Sequence, residues 1–186
     1  MSVLENFNYN ALPQYFLDLK DMAYPKQIAN FFNLYDIRRY LYQITVYNRQ
    51  LNDYVILKYG ISHAEANGKK YKGDRVYSQL GGLKSFAQPL ERTSSQEFRT
   101  EVAEAYRLAY NSELDHNDII LNVLDFTDFK FQFVDKKFEM ERHEAEILRR
   151  HLSLGYKKPI GNKVINLGIL TKTAVSTAVY NYLFDC

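Results

Sequence analysis

Residues 40–46, YLYQITV, and residues 54–57, YVIL, form the stretch that decides the fold. In the first run, large apolar side chains occupy every second position from Tyr40 to Val46. Between the two runs, Asn48-Arg49-Gln50 and Asn52-Asp53 supply the turn. Two strand-like runs joined by a polar turn predict a β-hairpin over residues 39–62. Gly60, near the end of this hairpin, indicates a bend or a close approach to the backbone.

Helices are expected on both sides of the hairpin. Pro13 and Pro25 each suit the first turn of a helix, because apolar residues follow each of them at helical spacing. Residues 94–97, SSQE, form a capping-box pattern that opens a helix to about Tyr110.

Two further strands and a long helix are expected in the second half of the chain. Residues 119–126 are an apolar strand, and residues 129–133, FKFQF, alternate as its antiparallel partner would. Residues 136–154 have the pattern of a long helix, which Gly155 would close as the first residue beyond it.

Together these elements predict an α+β fold, a small antiparallel sheet flanked by helices. We expect an N-terminal helical extension over residues 1–38 and a core over residues 39–162 with an inserted helix and strands. Residues 163–186 would form a C-terminal extension, and its apolar character makes it a candidate dimer surface.

The composition excludes several classes of protein. The chain has 186 residues, 46% of them hydrophobic and 25% charged, which is typical of a globular domain. It has no apolar run long enough for a membrane span, and its first residues lack the pattern of a signal peptide. The only cysteine is Cys186, which fits a reducing cytoplasm. Because the net charge is only +2, nucleic acid could be bound only by local basic patches.

Glu144 is the most informative single residue. It lies on the helical stripe marked by Met140, Ile147 and Leu148, whereas Glu141 and Glu146 are expected to point elsewhere. A buried carboxylate is costly unless a cation or hydrogen-bond donors meet it. Glu144 is therefore a candidate ligand for a hard divalent cation, or else one half of an internal ion pair or a residue at a partly exposed edge.

Three side chains near the hairpin could converge on a phosphate. Tyr42 offers a phenol, Lys58 interrupts an apolar run with an ammonium, and Arg75 follows the candidate N-cap Asp74. A guanidinium can bind a phosphate through two parallel hydrogen bonds. A strand tyrosine taken alone is more often a core residue, so the three are informative only as a set.

The order of these residues resembles the GIY-YIG nuclease superfamily. Tyr40-Leu41-Tyr42 is similar to the first motif, with Tyr42 in the functional position, and Lys58-Tyr59-Gly60 is similar to the second. Arg75 matches the arginine of the next helix, Glu144 the metal-binding glutamate, and Asn162 the asparagine of the closing loop. The resemblance covers residues 39–162.

Small type II restriction endonucleases of this superfamily are the most similar. They share a lysine in the second motif, a stretch like Arg75-Val76-Tyr77-Ser78, and one like residues 157–161, KKPIG. In both cases the lysine pair begins thirteen residues after the glutamate.

Three features depart from the family pattern. Tyr40 and Leu41 replace the Gly and Ile of the first motif, and Lys58 follows Tyr42 by 16 positions, more than is usual. Gln79 occupies a position that is usually Tyr or His, and Tyr77 or His63 is a candidate to take over its role.

The resemblance implies a cytoplasmic, metal-dependent DNA endonuclease with one Mg²⁺ or Mn²⁺ per site, held by Glu144. Tyr42 would act as general base, Lys58 and Arg75 would complete the catalytic set, and Asn162 would support it. Double-stranded DNA would be the partner, and a symmetric target would favour a homodimer or a higher homo-oligomer. Five lysines are the candidate contacts with the DNA backbone: Lys69, Lys70, Lys72, Lys157 and Lys158.

Two alternatives remain open within the same superfamily. The chain could be a phage or mobile-element nuclease, or a DNA-binding relative that has lost activity. A third alternative is an unrelated interaction protein in which Glu144 is merely ion-paired.

Overall fold

A computed structural model describes residues 4–18, 26–62, 93–114, 118–156, 158–160 and 162. Within these residues four strands form one antiparallel sheet in the order β1-β4-β2-β3. The strands are β1 (Gln14–Asp18), β2 (Tyr40–Asn48), β3 (Asp53–Ser62) and β4 (Ile119–Asp125). The helices are α1 (Lys26–Leu34), α2 (Thr93–Tyr110) and α3 (Lys136–Ser153). The predicted α+β class with a small antiparallel sheet is confirmed. None of the helices in these ranges is long and apolar enough to cross a membrane.

The predicted hairpin is confirmed as β2 and β3. Its strands pair from Tyr40 opposite Ser62 to Asn48 opposite Asp53. The pairing shifts between Ile44, which lies opposite Lys58, and Thr45, which lies opposite Ile56. Leu57 is thus an extra residue, a β-bulge that bends the strand immediately before Lys58.

Each face of the sheet has its own apolar core. On the front face, which we define by Tyr42 and Ile44, the strands pack against Ile28 of α1 and Val102 of α2. On the back face, which we define by Leu41 and Tyr59, the strands pack with Phe126 and with Met140 and Leu148 of α3. The sheet is therefore the middle layer between helices, with α1 and α2 in front and α3 behind.

The helix expected after Pro13 is wrong, because residues 14–18 form strand β1. Tyr15 pairs with Val123 and Leu17 with Leu121, so this segment belongs to the same sheet as the hairpin. Leu17 is buried, while Phe16 is 70% exposed, which is the alternation of a strand. In so short a segment, the apolar residues fit the spacing of a helix as well as that of a strand. Pairing with β4 decides in favour of the strand. The helix expected after Pro25 is confirmed as α1.

The strand expected over residues 129–133 is also wrong. The carboxylate of Glu139 accepts hydrogen bonds from the backbone N–H groups of Gln132, at 2.8 Å, and Phe133, at 3.1 Å. Phe129 and Phe131 pack into the core of the back face. The segment is therefore a loop. Its backbone N–H groups donate hydrogen bonds to a glutamate of α3 instead of to a neighbouring strand.

The remaining predicted elements are confirmed as α2, β4 and α3. Asp135 caps the N-terminus of α3, where its side chain accepts a hydrogen bond from the Phe138 N–H at 3.1 Å. Gly155 follows the C-terminus with φ of +88°, a left-handed conformation that glycine adopts without strain.

Arg150 ties the N-terminal segment to α3. Its Nη2 donates hydrogen bonds to the carbonyls of Leu4, Glu5 and Phe7 at 2.9–3.0 Å. Its Nε donates to the buried carboxylate of Glu146 at 3.0 Å. One side chain thus satisfies a buried charge and three backbone carbonyls at once.

His143 lies beside this contact in an aromatic environment. The side chain is fully buried, and its Nδ1 is 3.0 Å from the hydroxyl of Tyr9. The rings of Phe7 and Phe129 are centred 4.9 and 5.4 Å away, and Nε2 has no hydrogen-bond partner. Burial lowers the pKa of His143 to about 4, and the nearby Arg142 lowers it as well. The neutral imidazole is therefore the form that the fold holds.

This burial predicts a loss of stability in mild acid. Because the folded-state pKa lies below the ordinary value, protonation favours the unfolded chain, and the stabilisation is lost as the pH falls from about 6.5 to about 4. The loss attributable to His143 should reach about 3 kcal/mol. Urea unfolding of the wild type and of His143→Phe across this range would measure it. The two free-energy curves should converge as the pH falls, and curves that stay parallel would contradict the assignment.

Candidate functional site

Tyr42 and Gly60 lie opposite each other in the hairpin and are in close contact. Tyr42 lies opposite Gly60 on β3 and opposite Val123 on β4, and its side chain is fully buried. A Cβ atom at position 60 would overlap the Cζ and hydroxyl of Tyr42 and would lie 2.8 Å from its Cε1. The phenol therefore extends across β3 over the backbone of Gly60, and no other residue at position 60 leaves room for it.

Lys58 lies on the same face of the sheet as Tyr42. It pairs with Ile44, two positions along the hairpin from the pair of Tyr42 and Gly60. Side chains in this diagonal relation are about 7–8 Å apart at Cα, within reach of a long side chain. Lys58 is only 4% exposed, so its side chain lies in the protein interior on the face that carries Tyr42.

Asn162 braces the second strand of the hairpin. Its Oδ1 accepts a hydrogen bond from the Tyr59 N–H at 2.7 Å, and its Nδ2 donates to the Tyr59 carbonyl at 2.8 Å. Strand β3 is the outer strand of the described sheet, so these backbone groups face away from β2. The carboxamide therefore takes the place of a neighbouring strand and fixes the backbone next to Gly60.

Tyr59 itself points to the back face. Its hydroxyl accepts a hydrogen bond from the Gln43 side chain at 3.1 Å, and its ring lies 5.7 Å from that of His151. Burial raises the pKa of Tyr59. This tyrosine is thus a neutral packing residue, distinct from the phenol of Tyr42 on the front face.

Glu144 lies on α3 between Met140 and Leu148, the residues through which that helix packs against the back face. Its own side chain is half-buried. Glu141 and Glu146, which the sequence pattern places off this stripe, are nevertheless only 6% and 0% exposed. For Glu146 the physical reason is that its carboxylate binds Arg150, which also ties down the N-terminal segment.

The buried glutamates of α3 differ in their partners. Glu139 accepts two backbone hydrogen bonds, and Glu146 accepts hydrogen bonds from Arg149 at 2.6 Å and Arg150 at 3.0 Å. By contrast, Oε2 of Glu141 is buried without a hydrogen-bond partner.

Burial raises the pKa of Glu141 to about 7. Lys137 lowers it, while Glu144 and Asp135 raise it further. Sequence reasoning missed this residue, although the spacing of three between Glu141 and Glu144 places both on neighbouring positions of a helix surface.

The structure brings only part of the predicted site together. Tyr42, Lys58 and Asn162 converge on the hairpin, and Glu144 lies on the helix that covers the opposite face. The following predicted residues lie outside the described residues: Arg75, Tyr77, His63, Gln79, Lys69, Lys70, Lys72 and Lys157. In the described part of the chain no group of three or more His, Cys, Asp or Glu side chains is placed to hold a metal ion.

An open cavity of about 940 Å³ lies on the back face beyond the end of α3. Its lining includes Gln43, Thr45, Ile56, His151 and Lys158. Lys158, one of the five lysines predicted to contact DNA, is thus half-buried at the wall of this cavity.

Comparison of the chain with protein-family models, with curated proteins and with solved structures found no significant match.

The contact between Tyr42 and Gly60 predicts a strong energetic coupling. Gly60→Ala should destabilise the protein by about 1–3 kcal/mol, because the new methyl group displaces a fully buried ring. In a Tyr42→Ala background the ring is absent, and the same substitution should cost much less. Chemical denaturation of the four proteins of this double-mutant cycle measures the coupling. An equal cost in both backgrounds would show that the ring does not occupy this position.

The brace at Asn162 predicts a local effect on hydrogen exchange. Asn162→Ala leaves the Tyr59 N–H without its acceptor, a loss of about 1–3 kcal/mol for a buried donor. The Tyr59 amide should therefore exchange about tenfold faster or more, which NMR or mass spectrometry can measure. Asn33→Ala, at an exposed position of α1, is the matched control and should leave this amide unchanged. Unaltered exchange in Asn162→Ala would exclude the brace.

Proposed function

We propose that the chain is a metal-dependent DNA endonuclease of the GIY-YIG type, most similar to its small type II restriction enzymes. One observation carries the proposal: the end of the Tyr42 phenol lies over the backbone of Gly60, and the buried Lys58 occupies the diagonal position on the same face of the sheet. A tyrosine ring over a strand glycine can serve packing alone, but a buried ammonium on the same face costs the fold free energy. The combination therefore suits a phenol that acts chemically.

In this mechanism Tyr42 is the general base. After the phenol has lost its own proton to solvent, the phenolate accepts a proton from the water that attacks the scissile phosphate. A phenol is a weak acid, with an ordinary pKa of about 10, so it needs positive charge nearby to act as a base at neutral pH. Lys58 supplies such a charge on the same face, in an interior where little water screens it.

Glu144 is the proposed metal ligand. Carboxylate oxygens are the donors that Mg²⁺ and Mn²⁺ prefer, so the half-buried Glu144 fits such an ion. When bound, the ion would neutralise charge that develops on the phosphate oxygens. Arg75 would bind the same phosphate, and Asn162 holds the strand that carries Gly60 in place.

The proposed site lies at the outer edge of β3. Tyr42 reaches across this strand from the front face, and α3, which carries Glu144, packs against the back face. Side chains from opposite faces of a sheet can meet only beyond an edge strand. Gly60 has no side chain to block the way, and β3 is the outer strand of the described sheet. The edge beside Gly60 is therefore where phenol and carboxylate would share a phosphate.

The DNA itself would be held by local basic groups. Backbone contacts by the five lysines would make binding fall steeply with salt concentration. A symmetric target would be cut by a homodimer or a higher oligomer, for which residues 163–186 are the proposed surface. Cleavage at discrete sites would indicate a restriction enzyme, and scattered cleavage a phage or mobile-element nuclease.

A second candidate function is DNA binding without cleavage. The complete burial of Tyr42 favours it, because a phenol with no exposed surface contacts no phosphate until its surroundings move. Such a protein would bind duplex DNA but would leave it intact in Mg²⁺ and in Mn²⁺.

Cleavage of supercoiled plasmid separates these candidates. The wild type should cut in Mg²⁺ or Mn²⁺ and should be inactive in excess chelator. Tyr42→Phe should lower the cleavage rate by about 100-fold or more, the usual range for the loss of a general base. Glu144→Gln should lower the rate as well, because it removes the proposed ligand of the metal ion. Circular dichroism would verify that both variants are folded.

Two variants serve as matched controls. Tyr54→Phe removes a phenol that is 55% exposed on the same hairpin, and Glu104→Gln removes an exposed carboxylate on α2. Both should cut at the wild-type rate. Binding of DNA with no cleavage in either metal would exclude the nuclease and favour the second candidate.

A further inference from the structure

Helix α3 carries a buried carboxylate, one oxygen of which receives no hydrogen bond. Glu141 is 6% exposed, and its Oε2 has neither a hydrogen-bond partner nor access to solvent. Burying an ionised carboxylate without a partner is strongly unfavourable. The other buried glutamates show what the fold normally provides: two backbone N–H groups for Glu139 and two arginines for Glu146.

The surroundings of Glu141 add a second carboxylate. Glu144 follows three residues later, a spacing that places two Cβ atoms about 5–6 Å apart on a helix surface. The charge of Glu144 acts on Glu141 and disfavours its ionised form. Two carboxylates at this separation repel each other unless a cation lies between them.

We propose that Glu141 is a second ligand of the divalent cation that Glu144 binds, so that the pair Glu141-x-x-Glu144 forms one carboxylate site on α3. The proposal rests on the proposed function for the identity of the cation. Mg²⁺ and Mn²⁺ are commonly held by one or two protein carboxylates, with water and a phosphate completing the shell. A cation at this place gives the unpartnered Oε2 of Glu141 its missing partner.

Lys137 is the competing explanation for the charge of Glu141. It lies one turn earlier on α3 and favours the ionised form of Glu141, but its side chain is exposed and donates no hydrogen bond to Oε2. The other alternative is a protonated glutamic acid that only fills space. In either case Glu141 would not affect metal affinity.

Binding of Mn²⁺ to the full chain without DNA tests the proposal. Free Mn²⁺ is titrated by electron paramagnetic resonance against the wild type, Glu141→Gln, Glu144→Gln and the control Glu104→Gln. Glutamine keeps the shape of the side chain but loses the charge. Glu141→Gln and Glu144→Gln should each weaken Mn²⁺ binding by about tenfold or more, since even residues beyond the direct ligands change metal affinity by about 10–100-fold. The control should bind as the wild type does.

Melting temperatures show whether weaker Mn²⁺ binding results from a loss of folding. Without metal, Glu141→Gln should unfold at or above the wild-type temperature, because the substitution removes a carboxylate that is costly to ionise when buried. Added Mn²⁺ should raise the melting temperature of Glu141→Gln by less than it raises that of the wild type and of Glu104→Gln.

The outcomes separate the two proposals. If Glu144→Gln weakens Mn²⁺ binding and Glu141→Gln does not, the role of Glu141 is overturned while the nuclease stands. If both variants lose Mn²⁺ binding but the wild type cuts no plasmid, the carboxylate pair holds and the nuclease fails. If neither substitution alters Mn²⁺ binding, the carboxylate pair is overturned.

Discussion

The Tyr42 ring packs directly on the backbone of Gly60, and the structure of β3 around this glycine depends on that contact. It requires glycine at one position of an edge strand, and an edge strand with a glycine in it is weakly held. Asn162 compensates by pairing with both backbone groups of Tyr59, the neighbouring residue. The bulge at Leu57 then places Lys58 on the same face as the phenol. Residues 57–60 of β3 thus combine three features: the space for the ring at Gly60, the hydrogen bonds of Asn162 to Tyr59, and the buried side chain of Lys58.

Two acidic residues of helix α3 have clear structural partners. Glu139 holds the loop before the helix, and Glu146 holds the two arginines, one of which anchors the N-terminal segment. Oε2 of Glu141 is buried without a hydrogen-bond partner, and Glu144 is half-buried between the residues through which the helix packs against the back face. These last two carboxylates are the ones that we propose as ligands of the metal ion.

Local patterns were sufficient to predict the hairpin, β4, α2 and α3 with its closing Gly155, because alternation, caps and turns act over a few residues. They failed for β1, where pairing with a distant strand made a strand of a segment that also has helical spacing. They also failed for residues 129–133, where Glu139 accepts the backbone hydrogen bonds that a neighbouring strand would have accepted. The burial of Glu141 was missed because a stripe of apolar residues defines only one buried side of a helix. Tyr42 and Lys58 lie on the same face because of the register of the hairpin. The bulge sets this register, and a local sequence pattern does not predict it.

The central claim is that phenol and carboxylate, carried on opposite faces of the sheet, share one metal-phosphate site at the edge of β3. A crystal of the protein with Mn²⁺ and a short DNA duplex, measured at the manganese absorption edge, tests it most directly. The account predicts an anomalous peak about 2.0–2.3 Å from a carboxylate oxygen of Glu144, with a DNA phosphate between the ion and the hydroxyl of Tyr42. A peak away from Glu144, or a phosphate bound to Glu144 with Tyr42 still enclosed on the far side of the sheet, would contradict it.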